Sequence, residues 1–415
     1  MDTISPTDRA YHVVLHGATG FTGRLVAEHL AAHHQDEGLR WAIAGRDEAR
    51  LVELRDRIRS RFPESGPIGL VVADNHDPGS MARLAASAAV VATTVGPYVR
   101  HGEPLVAACV AHRTDYVDLT GEPQFVRRTI DCHHDDATAA GVRIVHCCGF
   151  DSIPSDLGTF ALQEAAIARD GRPCDEVKFL LQDIRGGVSG GTIASMVDLL
   201  EDARSTDVAR VVSDPYGLNP EGERHGPDTP DQAGVLRDPV TRSWTGPFVM
   251  APVNTRVVRR TNALLDHRYG REFRYSEVVD TGTGLRGAVR ATLLAAGITA
   301  FRGAMHARPT RALLRRFALP SPGEGPSPQS IESGHFTALL SGRRGGSEVL
   351  RATVHADRDP GYGATAIMLA ESALCLALPG EEPSGVPGVV TPASAMGHAL
   401  IGRLGRRGVH VRVQD

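Results

Sequence analysis

The sequence lacks the features that mark a membrane-spanning, disulfide-rich or nucleic-acid-binding protein. No segment supplies the roughly 18 uncharged apolar residues that a helix needs to cross a bilayer. The six cysteines show no CxxC spacing, so a disulfide framework is not expected. Aromatic residues make up only 5% of the chain, and a net charge of −4 gives no reason to expect nucleic acid.

What the chain has is the composition of an ordinary globular protein, with 41% hydrophobic and 23% charged residues. Its 415 residues exceed what one hydrophobic core organises, about 250 to 300 residues, so we expect two domains. The first ten residues, MDTISPTDRA, carry three charges and no apolar core of a secretory signal. We therefore expect a cytoplasmic protein.

The first 150 residues alternate short apolar runs with helix-like stretches, which predicts a doubly wound parallel sheet of the Rossmann type. After residue 156, strands such as Glu176–Ile184 and a hairpin of Phe336–Ser341 with Glu348–His355 predict a second, α+β domain. Residues 213–239, with five prolines and four glycines, are expected to form an irregular loop, either a lid or an insertion. The six apolar runs are Tyr11–His16, Arg40–Ala44, Ile68–Ala73, Ala89–Val95, Tyr116–Leu119 and Arg143–Cys147.

A glycine turn follows the first predicted strand directly. Glycines permit a tight turn and a close approach of backbone to a pyrophosphate, and the next helix aims its free N–H groups at the anion. The GxxGxxG spacing is a weak signal alone, but its place between a strand and a helix favours phosphate binding over a merely tight turn. The residues of the turn are Gly17, Ala18, Thr19, Gly20, Phe21, Thr22 and Gly23.

The residue that ends the second strand predicts which dinucleotide binds. Arg46 stands where NAD-binding domains place an acid for the ribose 2′-hydroxyl. A guanidinium instead pairs with a 2′-phosphate, so NADP(H) is predicted as the cofactor. The alternative is that Arg46 is a solvated loop residue beside Asp47. Asp74, after the third strand, either contacts the adenine or caps the next helix.

Further motifs give the chain a resemblance to the saccharopine dehydrogenase-like oxidoreductases, and most closely to the branch that holds the mycobacterial trans-acting enoyl reductases. Unlike the biosynthetic saccharopine enzymes, the chain has no obvious match to their substrate-binding basic residues. The motifs are VVATTVGPY (90–98), HGEPLVAACVAHRTDYVDLTGE (101–122), CGFDSIPSDLG (148–158), GGTIASM (190–196), PGEGPS (322–327), DPGYGATA (359–366) and GVVTPASAMG (388–397).

The resemblance implies three parts: an NADP-binding domain over residues 1–156, a domain over 157–380 that closes over the nicotinamide, and a C-terminal helix and strand over 381–415 that return to the first domain. For the actinobacterial branch it implies reduction of a C=C bond in a polyketide thioester, on the way to phthiocerol-type glycolipids. The partners would be a lipid-like acyl chain and its acyl carrier protein or polyketide synthase.

Candidate catalytic side chains follow strands at the carboxyl edge of the predicted sheet, where ligands bind in such folds. Gly96 and Pro97 are expected to set the backbone close to the nicotinamide ribose, and Tyr98 is the first candidate for a proton donor, unless its ring only fills the domain seam. The other candidates are Glu122 and Asp151 as acids and Ser152 as an oxyanion donor. Glu122 equally suits a helix cap.

No metal site and no hydrolytic centre are expected. Cys132, His133 and His134 are metal-ligand types, but adjacent residues on a helix point in different directions. The residues Arg286–Arg316 contain seven arginines and no acid, with apolar residues at helical intervals. This stretch either lies on an anionic membrane or an acidic carrier, with Arg286, Arg290 and Arg302 in contact, or is a solvated helix.

Three functions are compatible with these patterns. The first is an NADPH-dependent enoyl reductase that acts in trans on a lipid-like thioester. The second is an NADP-binding, lipid-associated scaffold with little turnover. The third is a reductase of imines or amino acids, closer to saccharopine chemistry.

Overall fold

The computed structural model describes residues 9–34, 38–186, 206–306, 325–378 and 385–414. The chain divides into two compact units. The first takes the chain up to Phe150, together with Gly325 and Gly361–Arg407, and the second takes the remainder. The change of unit thus comes before helix α7 (Ile153–Asp170), whereas the expected boundary at residue 156 lies inside that helix. Residues Gly361–Arg407 join the first unit because their helices pack on its sheet, whereas the last strand belongs to the second unit.

The first unit is built on a parallel sheet, as the sequence predicts. Its strands run in the order β3-β2-β1-β4-β5-β6, followed by β13, and every recorded pairing is parallel. The runs VVL and WAIAG are buried because helices cover both faces. The strands are β1 (Tyr11–His16), β2 (Trp41–Gly45), β3 (Ile68–Val72), β4 (Ala88–Thr93), β5 (Asp115–Asp118), β6 (Arg143–Val145) and β13 (Gly388–Val390).

Two helices of the first unit, α5 (Glu103–Ala111) and α6 (Pro123–Ala140), have a proline in their first turn. Pro104 lies in the first turn of its helix and Pro123 begins the next, where a missing N–H costs nothing. The helices are α1 (Phe21–His33), α2 (Glu48–Arg61), α3 (Pro78–Ser87), α4 (Tyr98–His101), α5 (Glu103–Ala111), α6 (Pro123–Ala140), α12 (Thr365–Ala377) and α13 (Pro392–Arg406).

The second unit contains a mixed sheet in the order β14-β12-β11-β7-β10-β9-β8, in which only β7 and β10 pair in parallel. The expected hairpin forms β11 and β12. The strands are β7 (Glu176–Arg185), β8 (Leu236–Arg237), β9 (Trp244–Pro247), β10 (Arg274–Gly282), β11 (His335–Arg344), β12 (Ser347–Ala356) and β14 (Val409–Gln414). Its helices are α7, α8 (Thr206–Ser213), α9 (Ala251–Leu264), α10 (Gly284–His306) and α11 (Pro328–Glu332).

The loop over residues 213–239 is mostly irregular, as expected, and it includes the short strand β8. Two buried arginines of α9 hold it in place. Arg259 pairs with Asp228, and Arg260 donates to the carbonyl of Leu218. Because a moving lid would leave these guanidinium groups buried and unpaired, the contacts favour a fixed insertion over a lid.

Candidate functional site

The glycine turn between β1 and α1 has no room for side chains at two of its glycines. A Cβ at Gly17, whose φ is +83°, would lie 2.7 Å from Val95, and one at Gly23 would lie 2.3 Å from the carbonyl oxygen of Gly17. Helix α1 begins after Gly20, which supplies no side-chain cap, and its first turn contains no acid. The first N–H groups of a 13-residue helix are therefore left for an anion at the turn.

The loop after β4 is fastened to the same turn. The Thr94 N–H donates to the carbonyl of His16 at 3.0 Å, and its hydroxyl donates to the carbonyl of Gly17 at 3.2 Å. Gly96 is exposed and Pro97 is the residue before α4, so both lie at the carboxyl edge of the sheet, beside the turn. This placement agrees with the predicted role of Gly96 and Pro97, which stays a prediction.

The other residues of the turn divide between packing and the open edge. Ala18 is fully buried, while Thr19 and Thr22 are partly exposed. The Phe21 ring packs edge-to-face on Tyr362, with 4.7 Å between ring centroids, so Phe21 has a packing partner of its own. The Arg24 guanidinium lies 5.7 Å from the centroid of the same ring. Sequence reasoning did not single out this cation in the first turn of α1.

Arg46 is exposed and directly follows β2, at the position that the 2′-phosphate prediction requires. Its neighbour Asp47 accepts a bond from the Arg50 N–H and caps α2. Asp74 does not cap α3, because Asp77 does so by accepting a bond from the Gly79 N–H. Asp74 instead accepts the His76 N–H at 3.0 Å, which shapes the loop after β3.

These features fit a bound dinucleotide. The cradle formed by Gly17 and Gly23 would be filled by any Cβ, and α1 presents an uncapped N-terminus. His16, at the end of β1, is buried, and its Nδ1 atom has no hydrogen-bond partner within the described parts of the chain. The turn would hold the pyrophosphate and Arg46 the 2′-phosphate of NADP(H).

Tyr98 and Glu122 connect helix α4 to the segment that follows β5, inside the first unit. Both carboxylate oxygens of Glu122, which is fully buried, accept backbone N–H groups of Tyr98 and Val99. The Tyr98 hydroxyl donates to the carbonyl of Thr93 and accepts the Leu119 N–H. Burial raises the pKa of Tyr98 well above its usual range. These contacts give both residues a structural role in holding α4, and their catalytic roles stay predictions that the geometry does not favour.

A buried hydrogen-bonded chain joins Asp118, His146 and Thr129. Asp118 accepts from His146 Nδ1 at 2.7 Å, and His146 Nε2 lies 2.8 Å from the Thr129 hydroxyl. The order resembles a hydrolytic triad, but all three side chains are at most 2% exposed, so no substrate reaches them. Asp118 also accepts the N–H groups of Thr120 and Cys147, so it ties β5 to β6. The sequence signal that was missed is a polar residue in each of two apolar runs, Asp118 in Tyr116–Leu119 and His146 in Arg143–Cys147.

Asp151 and Ser152 stand at the start of the second unit, before α7. Desolvation raises the pKa of Asp151 to about 6, and the residue as a whole is half-buried. Ser152 is fully buried and donates to Asn254 Oδ1 at 3.0 Å. Asn254 in turn donates to Glu277 at 3.0 Å. With its proton directed at Asn254, Ser152 is not placed as an oxyanion donor, and that role stays a prediction.

The described residues hold one group with the types and spacing of metal ligands, formed by His29, His34 and Glu371. Arg403 and Arg407 also contact the Glu371 carboxylate, at 2.9 and 3.4 Å. Two guanidinium groups already neutralise the acid and repel a dication, so we read the group as an ion-paired cluster. In the motif Cys132-His133-His134, His133 pairs with Glu103 while His134 accepts the Val389 N–H, so the two histidine side chains point apart.

The comparisons with known proteins agree with this geometry. Residues 13–145 match the saccharopine dehydrogenase NADP-binding domain. The chain is therefore an NADP-dependent oxidoreductase that binds NADP(H) through a Rossmann domain.

The whole chain has full-length relatives. A protein of Mycobacterium tuberculosis strain H37Rv is 42% identical over 424 residues, which cover 99% of each chain. The trans-acting enoyl reductases of Mycobacterium bovis BCG and Mycobacterium ulcerans are 41% and 40% identical, over 98% of this chain and 98% and 99% of theirs. The chain belongs to the family of the mycobacterial trans-acting enoyl reductases.

A solved structure shows the same fold at low sequence identity. Apo saccharopine dehydrogenase (L-Glu forming) from Saccharomyces cerevisiae aligns with a TM-score of 0.51 and 13% identity, over 97% of this chain and 99% of that one. Within the described ranges, no helix combines the length and the apolar character needed to span a membrane.

Proposed function

We propose that the protein is an NADPH-dependent enoyl reductase that acts in trans on a lipid-like polyketide thioester. The observation that carries the proposal is the end-to-end similarity, above 40% identity, to proteins named trans-acting enoyl reductases. The substrate would arrive on an acyl carrier protein or polyketide synthase, and the pathway would be the synthesis of phthiocerol-type glycolipids. The resemblance in sequence supports both statements.

The reaction needs a hydride at the β-carbon, stabilisation of the enolate charge on the thioester oxygen, and a proton at the α-carbon. When bound, NADPH supplies the hydride. Among the four predicted catalytic residues, Asp151 suits the proton step best. Its raised pKa of about 6 keeps a part of the carboxyl protonated near neutral pH, and the residue as a whole is half-buried. Tyr98, Glu122 and Ser152 are instead occupied by internal hydrogen bonds.

The test of the proposal is NADPH oxidation over matched enoyl and imine substrates, with the products identified by mass spectrometry. We expect saturated thioesters from enoyl thioesters, with long chains on a carrier protein favoured over short free thioesters. Stoichiometric NADPH binding with no oxidation of either substrate class would favour a scaffold, and oxidation with imines alone would favour saccharopine-like chemistry. Asp151→Asn should lower kcat while leaving the Kd for NADPH unchanged.

Helix α10 supports a peripheral contact with an anionic membrane as part of the same proposal. Ala291, fully buried, faces β9 and β10, while Leu285, Val289 and Leu293 are 81%, 50% and 68% exposed. These three residues follow the i, i+4, i+8 spacing of one helix face. A helix that turns large apolar side chains outward is covered by a partner or a lipid surface.

The charge of the helix points to lipid. Arg286 and Arg290 are exposed, and Gly284–His306 contains no acidic residue. A second copy of the chain would bring the same arginines together without an acid on the helix to pair with them, whereas anionic headgroups attract arginines beside an inserted apolar face. The Arg302 side chain and residues 307–316 of the predicted basic stretch lie outside the described residues.

Vesicle co-sedimentation tests the membrane contact. The full-length protein should bind vesicles that contain phosphatidylglycerol more tightly than vesicles of phosphatidylcholine alone. Serine at positions 285, 289 and 293 together should abolish binding, whereas Val386→Ser, at a 40% exposed valine of the first unit, should not. Binding to an acidic carrier protein but to neither vesicle would assign the face to the carrier.

A further inference from the structure

Four basic side chains lie near one another at the carboxyl edge of the first sheet, on the segments that follow three of its strands. Arg46 follows β2, His76 follows β3, and Arg100 and His101 end the short helix α4 after β4. The rings of His76 and His101 meet edge-to-face, with 5.7 Å between centroids. The charges of His76, Arg100 and Arg46 all act on the imidazole of His101. Sequence reasoning identified only Arg46.

A polar bridge fixes this arrangement. The Asn75 Oδ1 atom accepts a hydrogen bond from His16 Nε2 at 2.6 Å, and Asn75 Nδ2 donates to the carbonyl of His101 at 2.7 Å. The loop after β3 is thus joined to the end of β1 and to α4. Because three strand ends are held together, the two histidine rings have a defined position relative to the turn.

We infer that His76 and His101 complete, with Arg46, a clamp for the 2′-phosphate of NADP(H). The 2′-position of the adenosine ribose falls at the end of β2 in this fold, which is where Arg46 stands. A single exposed arginine on a loop gives a phosphate dianion one planar partner. Imidazole N–H groups from the neighbouring loop and from α4 would supply further donors from the other side.

The charges around His101 are those expected of an anion site. Desolvation is the main cause that lowers its pKa, followed by the charges of His76, Arg100 and Arg46. The acids next to these loops have other partners. Asp47 and Asp77 cap α2 and α3, Asp74 accepts the His76 N–H, and Glu103 pairs with His133. A bound dianion would offset the repulsion among the cations and raise the pKa of His101. Binding of the 2′-phosphate should therefore be accompanied by proton uptake.

The experiment compares two fragments of the cofactor by calorimetry on the full-length protein. We expect 2′,5′-ADP to bind His101→Gln roughly five- to tenfold more weakly than wild type, because a charge-assisted hydrogen bond is lost. The affinity for 5′-AMP, which lacks the 2′-phosphate, should stay within about twofold. His76→Gln should show a smaller loss of the same kind.

Titrations in buffers of different ionisation enthalpy should show proton uptake by the wild type that His101→Gln reduces. His112→Gln is the matched control, because His112 is exposed and precedes β5, at the opposite edge of the sheet. Equal weakening of both ligands, or of neither, would overturn the clamp and leave Arg46 alone with the 2′-phosphate. If His101→Gln does not fold, the exposed His76 decides the question by the same comparison.

Discussion

Two glutamates, one in each compact unit, are both almost fully buried and yet have opposite environments. Glu371 of α12, in the first unit, is 1% exposed and contacts His29, His34, Arg403 and Arg407. Burial alone would raise its pKa, but hydrogen bonds from the two histidines and the nearby charges hold the pKa well below its usual range. Glu371 is therefore ionised, and it links helix α12 to the end of α1 and to the end of α13.

Glu277 of β10, in the second unit, is 2% exposed, and its hydrogen-bond donors among the described residues are neutral. Tyr275 donates to one carboxylate oxygen at 2.8 Å and Asn254 to the other at 3.0 Å. Desolvation raises its pKa to about 7, and these hydrogen bonds offset it only in part. The comparison shows that burial does not decide whether such an acid is charged. The presence of fully charged partners decides it, because neutral hydrogen-bond donors do not replace the hydration that a carboxylate loses on burial.

The largest expected effect is that of Glu371→Gln. It leaves the buried Arg403 and the half-buried Arg407 without their acid, which costs about 3 to 5 kcal/mol of unfolding free energy. The two tryptophans, Trp41 in the first unit and Trp244 in the second, allow each unit to be followed by fluorescence in urea. The Trp41 transition should shift to lower urea. Glu53→Gln, at a 72% exposed acid of the same unit, should change it by no more than about 0.5 kcal/mol.

The same cluster predicts how the first unit responds to acid. A depressed carboxyl pKa contributes stability above the unfolded value of 4.5, and this is lost as pH falls through the folded pKa. Desolvation lowers the pKa of His29, and that of His33 to about 4, so these histidines also oppose protonation in the folded state. The Trp41 transition should weaken as pH falls from 7 to 4. A Glu371→Gln variant with an unchanged slope below pH 4.5 would contradict the assignment to Glu371.

The opposite sign is expected of Glu277. Its folded pKa of about 7 exceeds the unfolded value of 4.5, so ionisation costs stability as pH rises through this window. Glu277→Gln removes the cost. Relative to wild type, the variant should gain roughly 2 to 3 kcal/mol between pH 5 and pH 8, because the folded pKa of about 7 lies well above the unfolded value. A constant difference across that range, measured by the Trp244 transition, would mean that Glu277 does not titrate there.

The parts that sequence predicted are those that local patterns determine. Six of the seven strands of the first sheet and the turn Gly17–Gly23 follow from runs of a few residues, and Arg46 follows from the end of a strand. The glutamate clusters were not predicted, because His29 and Glu371 are 342 positions apart and no local sequence pattern indicates their pairing. The short strand β13 (Gly388–Val390) escaped for the same reason, since only its pairing with Arg143–Val145 makes it a strand.

The candidate catalytic residues show a second limit. Strand order places Tyr98 and Glu122 at the correct edge of the sheet, but it does not say whether a side chain points to the opening or back to a loop. The loop conformation decides this, and here the backbone N–H groups of α4 occupy Glu122. Polar residues after strands therefore predict an edge, and not yet a role.

The smallest expected effect separates hydrogen bonding from burial at Glu277. Tyr275→Phe removes one neutral donor, which should raise the pKa of Glu277 further and cost about 1 kcal/mol, more at pH 8 than at pH 5. Tyr269→Phe is the matched control, because the Tyr269 hydroxyl is buried without a hydrogen-bond partner in the described part of the chain. Its removal should be neutral or slightly stabilising at both pH values. If the two variants behaved alike, the hydrogen bond from the Tyr275 hydroxyl would not stabilise the Glu277 carboxylate. Neutral donors would then have no measurable effect on a buried acid, in contrast to the cations around Glu371.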